Sequence, residues 1–264
     1  MADVIGQPLD PPPADPALRE NRAVFRTTRT VRADAVRPDQ GIKFDGVARF
    51  LQDTGMDHLI AAGFHESHKT WIARRTIIDI HAHGAWPETI TLERWASRIG
   101  TRWSDVRIDL RGETGTHVET EAFWINFNTE TGTPSRMSDE FLERFGAAAA
   151  PGVLRWKRLL DPTPHPDAEE VPFTLRSTDI DFFEHVNNAV YWTALEHALD
   201  GHPDLRARLP LRGIVEHDSP LTLEDAPRLL RRRDGDRLDV WLVQDDPDGV
   251  RTAAPMCVVP LNEA

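Results

Sequence analysis

Carboxylates, an imidazole and a pair of amides fall together in the stretch Ser177-Thr178-Asp179-Ile180-Asp181-Phe182-Phe183-Glu184-His185-Val186-Asn187-Asn188. Beyond it, Val190, Ala194, Leu195 and Ala198 recur at helical spacing, which predicts a helix starting at Asn188. Asn187 then falls at the N-cap, where its side-chain oxygen can accept from a first-turn amide with no partner inside the helix. The other free amides and the positive end of such a helix attract an oxyanion. A carboxylate, a histidine that titrates near neutrality and an oxyanion-binding helix end are the groups that hydrolysis of an activated carbonyl requires. The plain alternative is an Asx-rich turn that caps a surface helix.

The rest of the chain must build a frame for that turn. Residues 24–36 alternate as a strand does. Residues 44–62 read as a helix with Val47, Phe50, Leu51 and Leu59 on its apolar face and Gly63 past its end. Strand-like runs follow at 71–81, 89–99, 103–110 and 117–127, then turn residues at 128–132 and a Ser-capped short helix at 138–145. An Ala- and Pro-rich stretch, 147–170, reads as a linker. Strand, helix and strands then recur at 171–177, 188–199, 212–216, 228–232, 237–243 and 250–259. A single helix followed by several extended segments is expected to lie across one curved antiparallel sheet, and the pattern occurs twice.

Asp179-Ile180-Asp181 followed by His185-Val186-Asn187-Asn188 and Tyr191 resembles the signature of acyl-acyl-carrier-protein thioesterases and of the broader hotdog thioesterases. The first half is similar to the N-terminal hotdog of the same family at 50–58, at Trp71-Ile72-Ala73-Arg74-Arg75 and at 123–132. The resemblance implies an α+β double hotdog: two antiparallel sheets, each wrapped around one long central helix, joined in one layer with both helices on the same side. The expected organisation is a disordered tail over 1–21, an acyl-chain-binding hotdog over 22–146, a linker over 147–170 and a catalytic hotdog over 171–264.

In that family pattern Asp181 aligns with the carboxylate that serves as base or nucleophile. His185 would orient water or donate a proton, within hydrogen-bond or one-water reach of Asp181. Asn187, Asn188 and the helix amides would hold the carbonyl oxygen. Glu216 matches the first Glu of a Leu-Glu-Tyr-Arg-Arg-Glu-Cys strand and would add a carboxylate, while Phe50 and Trp71 would wall the acyl slot. Two departures stand out. Phe183 occupies the family's Asn position, and Pro220 and Leu221 fall where the family has its catalytic Glu and following Cys. The first-half counterpart, 39–44, lacks the His and paired Asn, so no chemistry is implied there. The implied substrate is a fatty acyl thioester of acyl carrier protein or coenzyme A, with no cofactor. A degraded hotdog that only binds acyl chains is the other reading. A hydratase on the same fold fits the Asp-x-Asp stretch less well.

With 40% hydrophobic and 28% charged residues, the 264-residue chain has the composition of a globular protein. A net charge of -12 argues against a nucleic-acid partner, because no basic surplus exists to displace counterions. No apolar run nears the roughly 20 residues of a membrane span, and the Pro- and Asp-rich start lacks a signal-peptide pattern. Cys257 is the lone cysteine, so no disulfide framework exists and a cytoplasmic address is expected. An anionic carrier would need a local basic patch, for which Arg231-Arg232-Arg233 is the candidate; a homodimer is compatible with the sequence. His81 and His83 could chelate zinc from one strand face, as in metal-dependent amidohydrolases. That barrel needs alternating strands and helices with further ligands on later strands, whereas here extended segments follow one another without helices between them. Third and fourth ligands are lacking, so no metal is expected.

Overall fold

The computed structural model describes residues 12–247 and 249–261, together with Ile5 and residues 7–9. A short helix α1 (Ala17–Glu20) precedes strand β1 (Val24–Thr30), the long helix α2 (Phe44–Ala62) and strands β2 (Trp71–Ala82), β3 (Thr89–Ile99), β4 (Trp103–Gly112) and β5 (His117–Asn128). A two-residue strand β6 (Thr133–Pro134) pairs back on β5 before helix α3 (Asp139–Gly146). The second half runs β7 (Glu169–Val171), helix α4 (Asn188–Asp200), helix α5 (Pro203–Arg206), then β8 (Leu211–Glu216), β9 (Arg228–Asp234), β10 (Arg237–Asp246) and β11 (Gly249–Pro260).

One antiparallel sheet holds these strands in the order β1-β3-β4-β5-β2-β8-β11-β10-β9-β7. Read from the middle outward, the two halves have the same order, and they join where β2 pairs with β8 from Arg75 opposite Glu216 to Ile80 opposite Leu211. The expected continuous layer is therefore present, and α2 and α4 pack on each other on one side of it. Phe44 of α2 and Trp192 of α4 stack at 5.6 Å over β8. A Cβ on Gly213 would lie 2.8 Å from the Trp192 ring and 3.0 Å from Phe44, so only glycine admits this close approach.

Each long helix is started and stopped by identifiable groups. Lys43 gives α2 no side-chain cap; instead Glu196 of α4 accepts from Phe44 N at 2.6 Å, one half capping the other. Burial pushes the Glu196 carboxyl up to about 7. Gly63, with φ 82°, closes α2, while the Phe64 amide donates to Leu59 O. Ser138 caps α3 by accepting from Phe141 N, as its sequence position predicts. The expected strand at 171–177 stops at Val171 because Pro172 has no N–H for the ladder with β9.

The sheet face turned away from the helices is also covered. Ile77, Ile214 and Cys257 meet Ile5 and Leu160 there in a separate apolar cluster. Between them Arg212 and Asp79, both almost fully buried, make a bidentate pair with two 2.6 Å bonds, and Arg212 also donates to Ile5 O. This corrects the expectation of a disordered 1–21 segment for its described part. Ile5 fills an apolar groove, α1 is helical, and Arg19 pairs with Glu93. Residues 1–4, 6, 10 and 11 lie outside the described residues. The 147–170 stretch likewise packs on the sheet, with Leu154 and Leu160 buried and Trp156 edge-on to Phe123 at 5.2 Å.

Candidate active site

The motif folds as a tight turn. Ile180 bridges Val186, the Asp181 amide donates to His185 O, and the Glu184 amide donates to Asp181 O with Glu184 at φ 62°. The Asp181 carboxylate accepts from Phe183 N at 2.9 Å, and Asn187 caps α4 by accepting from Ala189 N at 2.9 Å. Asp179 is consumed structurally: it accepts from Arg176 N and pairs with the Arg176 guanidinium at 2.8 Å.

Asp181, His185, Asn187 and Asn188 all line a cleft of about 770 Å³. No side-chain hydrogen bond or ion pair links Asp181 to His185 among the described residues; the backbone bond of the turn joins them, and both side chains border the cleft. The cleft runs from this turn into the first half, between α2 and the sheet, where Leu51, Met56, Leu59, Trp71, Val106 and Phe141 give apolar walls. A narrower space of about 50 Å³, sharing Arg94 and Val106 with the cleft, reaches Ile108, Thr120 and Trp192. Trp71 lines this cleft and Phe50 does not: Phe50 is half-buried against the main core, as Leu51 is, but only Leu51 and Gln52 also border the cleft.

Glu216 is also displaced from the expected set. It is fully buried on the sheet face away from the helices, where it accepts from Leu159 N at 2.9 Å and Leu160 N at 3.2 Å. Val215 points into the helix-side core, so alternation puts Glu216 on the other face and returns the next residue, His217, to the cleft. There His217 lies edge-on to Tyr191 at 4.8 Å, and its Nε2 has no hydrogen-bond partner among the described residues. Burial, with Arg74 adding to it, pushes its imidazole down to about 4, so it is neutral at ordinary pH. Parity with Val215 was the available signal. Phe183 and Phe182 stack at 4.0 Å and, with Pro220, edge the cleft. The candidate basic patch lies elsewhere on β9, engaged by Glu169, Asp234 and Asp204.

The first half carries a copy of the same turn. Val36 bridges Ile42, the Arg37 amide donates to Gly41 O, and Gln40 has φ 67°. Arg37 stands where Asp181 stands in the second half, and Gly41 where His185 stands. A Cβ on Gly41 would fall 2.3 Å from the Arg37 guanidinium, so this copy is filled by its own arginine.

Two family profiles match in sequence order: the acyl-ACP thioesterase N-terminal domain over residues 22–145 and the acyl-ACP thioesterase C-terminal domain over residues 163–226. The chain belongs to the acyl-ACP thioesterase family. An uncharacterized protein of Mycobacterium tuberculosis is 40% identical over 198 residues, 75% of this chain and 78% of that protein. The Arabidopsis thaliana oleoyl-acyl carrier protein thioesterase 1 is 24% identical over 202 residues. That alignment takes in 66% of this chain but 54% of the plant protein, so the chain spans about half the plant relative's length. Among solved structures, an acyl-ACP thioesterase from Bacteroides thetaiotaomicron superposes with a TM-score of 0.73 at 16% identity, covering 91% of this chain and 98% of that one. The 12:0-ACP thioesterase from Umbellularia californica gives 0.68 at 19% identity over 90% and 96%. These likenesses establish the double hotdog fold for this chain.

Proposed function

We propose that this chain hydrolyses fatty acyl thioesters, foremost those of acyl carrier protein, and releases the free fatty acid. The observation that carries the reading is the presence of Asp181, His185 and the capped start of α4 together in one cleft whose remaining walls are mostly apolar. The acyl chain lies in the first half, and the thioester carbonyl sits at the second-half turn. Asp181 takes a proton from water as the water oxygen attacks the carbonyl carbon. Asn188 and the first amides of α4 hold the oxyanion, with the neutral His217 imidazole facing the same space. Collapse breaks the C–S bond, and the departing thiolate takes a proton from His185 or from the newly protonated Asp181.

Lys69 and Arg74 line the cleft on the side of β2 and offer positive charge to an anionic carrier on an acidic protein. Coenzyme A thioesters share that chemistry and are the second substrate class. Among the described residues no helix is long and apolar enough to cross a membrane, and we read the protein as cytoplasmic. A non-hydrolytic acyl-binding role is favoured by one observation: Phe183 and Pro220 occupy cleft positions where the family pattern has an amide and a carboxylate. Thiol release from acyl-carrier-protein and acyl-coenzyme A substrates over a range of chain lengths decides between them. Turnover with multiple equivalents released is expected; binding with no thiol release from any substrate would establish the non-hydrolytic role.

A further inference from the structure

Strand β3 sends Ile90, Leu92 and Ala96 into the buried helix-side layer, and Arg94 falls in the same row. Its guanidinium lines the cleft and the narrower space beyond it. One donor, Nη1, reaches His58 Nδ1 at 2.8 Å. Burial, with Arg94 nearby, pushes His58 down to about 3, so this imidazole is neutral and its Nε2 donates to Arg22 O at 2.9 Å. Burial lowers Arg94 itself only to about 10, leaving it charged, and no acid opposes that shift. The comparison within the molecule is direct. Buried Arg212 has Asp79 in a bidentate pair, whereas among the described residues no carboxylate pairs with Arg94.

A charged guanidinium with spare donors in an apolar cavity is costly unless an acceptor arrives with the ligand. We infer that the acyl chain this site takes is oxygenated: a carboxylate or hydroxyl on the chain accepts from Arg94 inside the cleft. The inference rests on the thioesterase reading for the orientation of the chain, and it deepens that reading by naming the substrate class. His58 fixes the guanidinium from behind, and its clamp by Phe25 at 5.1 Å and Phe145 at 4.7 Å keeps it there. Arg94 is a specificity residue, distant in role from the hydrolytic turn.

The test is binding of S-alkyl pantetheine thioethers, which cannot be hydrolysed, with plain, ω-hydroxy and ω-carboxy chains of matched lengths, measured by calorimetry. Wild type is expected to bind at least one oxygenated series tenfold or more tightly than the plain series. The two series distinguish carboxylate from hydroxyl. Arg94→Met should erase that preference while binding plain chains as well or better. Plain chains bound as tightly as both oxygenated series by wild type, at every length, would overturn the inference, and so would a preference unchanged in Arg94→Met. The wild-type comparison decides even if the variant does not fold. A parallel thiol-release assay with the matching thioesters separates the two claims, since absence of hydrolysis condemns the thioesterase reading and leaves the binding preference to judge Arg94.

An independent cluster lies on the sheet face away from the helices. His81, at the end of β2, stacks on His117 of β5 with centroids 4.3 Å apart, and His117 is followed on the same side by Glu119. His81 Nε2 is 3.4 Å from Glu119 Oε2, and His117 Nε2 is 3.3 Å from Glu119 Oε1. Asp109 Oδ1 of β4 is 3.8 Å from His117 Nε2. Zinc–nitrogen bonds of tetrahedral sites imply ligand separations of about 3.3 Å. The two His–Glu119 distances match it, and one ligand atom from each of His81, His117 and Glu119 lies within 4.8 Å of the others. Asp109 Oδ1 is buried with no hydrogen-bond partner among the described residues. Arg111 touches both carboxylates, from Asp109 at 2.9 Å and Glu119 at 3.5 Å, and balances part of their charge. Sequence pairs His81 with His83, but the cluster joins His81 to His117 and Glu119 of the neighbouring strand, while His83 turns to Arg37 at 3.2 Å.

We propose that His81, His117 and Glu119, with Asp109 or water as fourth ligand, bind a zinc-class divalent cation. Calorimetric titration of zinc into chelator-stripped protein should show about one ion per chain, lost in His81→Ala and in His117→Ala but retained in His83→Ala. A titration without stoichiometric binding, or one abolished by His83→Ala alone, would overturn the site.

Discussion

Asp181→Asn should lower thioester turnover by on the order of 10²-fold or more, with the folded state unchanged. The substitution keeps the acceptor oxygen that the Phe183 amide uses at 2.9 Å, so the turn and the cap of α4 survive. It removes the carboxylate charge and with it the ability to take a proton from the attacking water. The loss should appear in kcat for acyl-carrier-protein and coenzyme A substrates alike, because the base acts on the water and not on the carrier. Far-ultraviolet circular dichroism and the unfolding midpoint should match wild type. Wild-type rates in Asp181→Asn would remove the assignment and shift attention to His217, whose unpaired Nε2 lines the same cleft.

The second large effect concerns the other face of the sheet. Asp79→Ala should destabilise the fold by about 3–5 kcal/mol, because it leaves Arg212 buried and charged with no carboxylate. Burial holds the Asp79 carboxyl above its ordinary range in spite of Arg212, so desolvation outweighs attraction even with the pair intact. The pair therefore contributes little net stability, and exchanging both partners for apolar residues of similar size, as in Asp79→Leu with Arg212→Met, should recover most of the loss. Denaturant unfolding followed by tryptophan fluorescence measures both. A single Asp79→Ala variant within about 1 kcal/mol of wild type would mean that water reaches the site and the pair is not truly dry.

What the sequence disclosed follows the range of the forces involved. Local features were legible: the Asn187 and Ser138 caps, the Gly63 stop and the turn at 128–132 each depend on neighbours a few residues away. The doubled strand-helix-strand order was legible because hydrophobic period is itself local. Assignments that depend on pairing across the sheet were not. Glu216 and His217 exchange roles with a shift of one residue, since every strand position alternates between faces. His81 finds His117 only through the register of β2 with β5, which a bulge near Ala82 displaces. Phe50 and Leu51 both pack against the main core, and only Leu51 also borders the cleft, a difference of one helix position that hydrophobic period does not resolve.

The sheet that reads identically from its centre outward is, in effect, a dimer written into one polypeptide. Two separate hotdogs would have to meet in solution, and their shared cleft would vanish on dilution. Here the partner is tethered, so the integrity of the cleft is independent of protein concentration. Covalent union also ends the obligation of identical subunits to change together. One turn could exchange its acid for Arg37 and its histidine for Gly41 while the other kept Asp181 and His185. On the function proposed above, the two copies of the turn divide the labour, the first half holding the chain and the second cutting it.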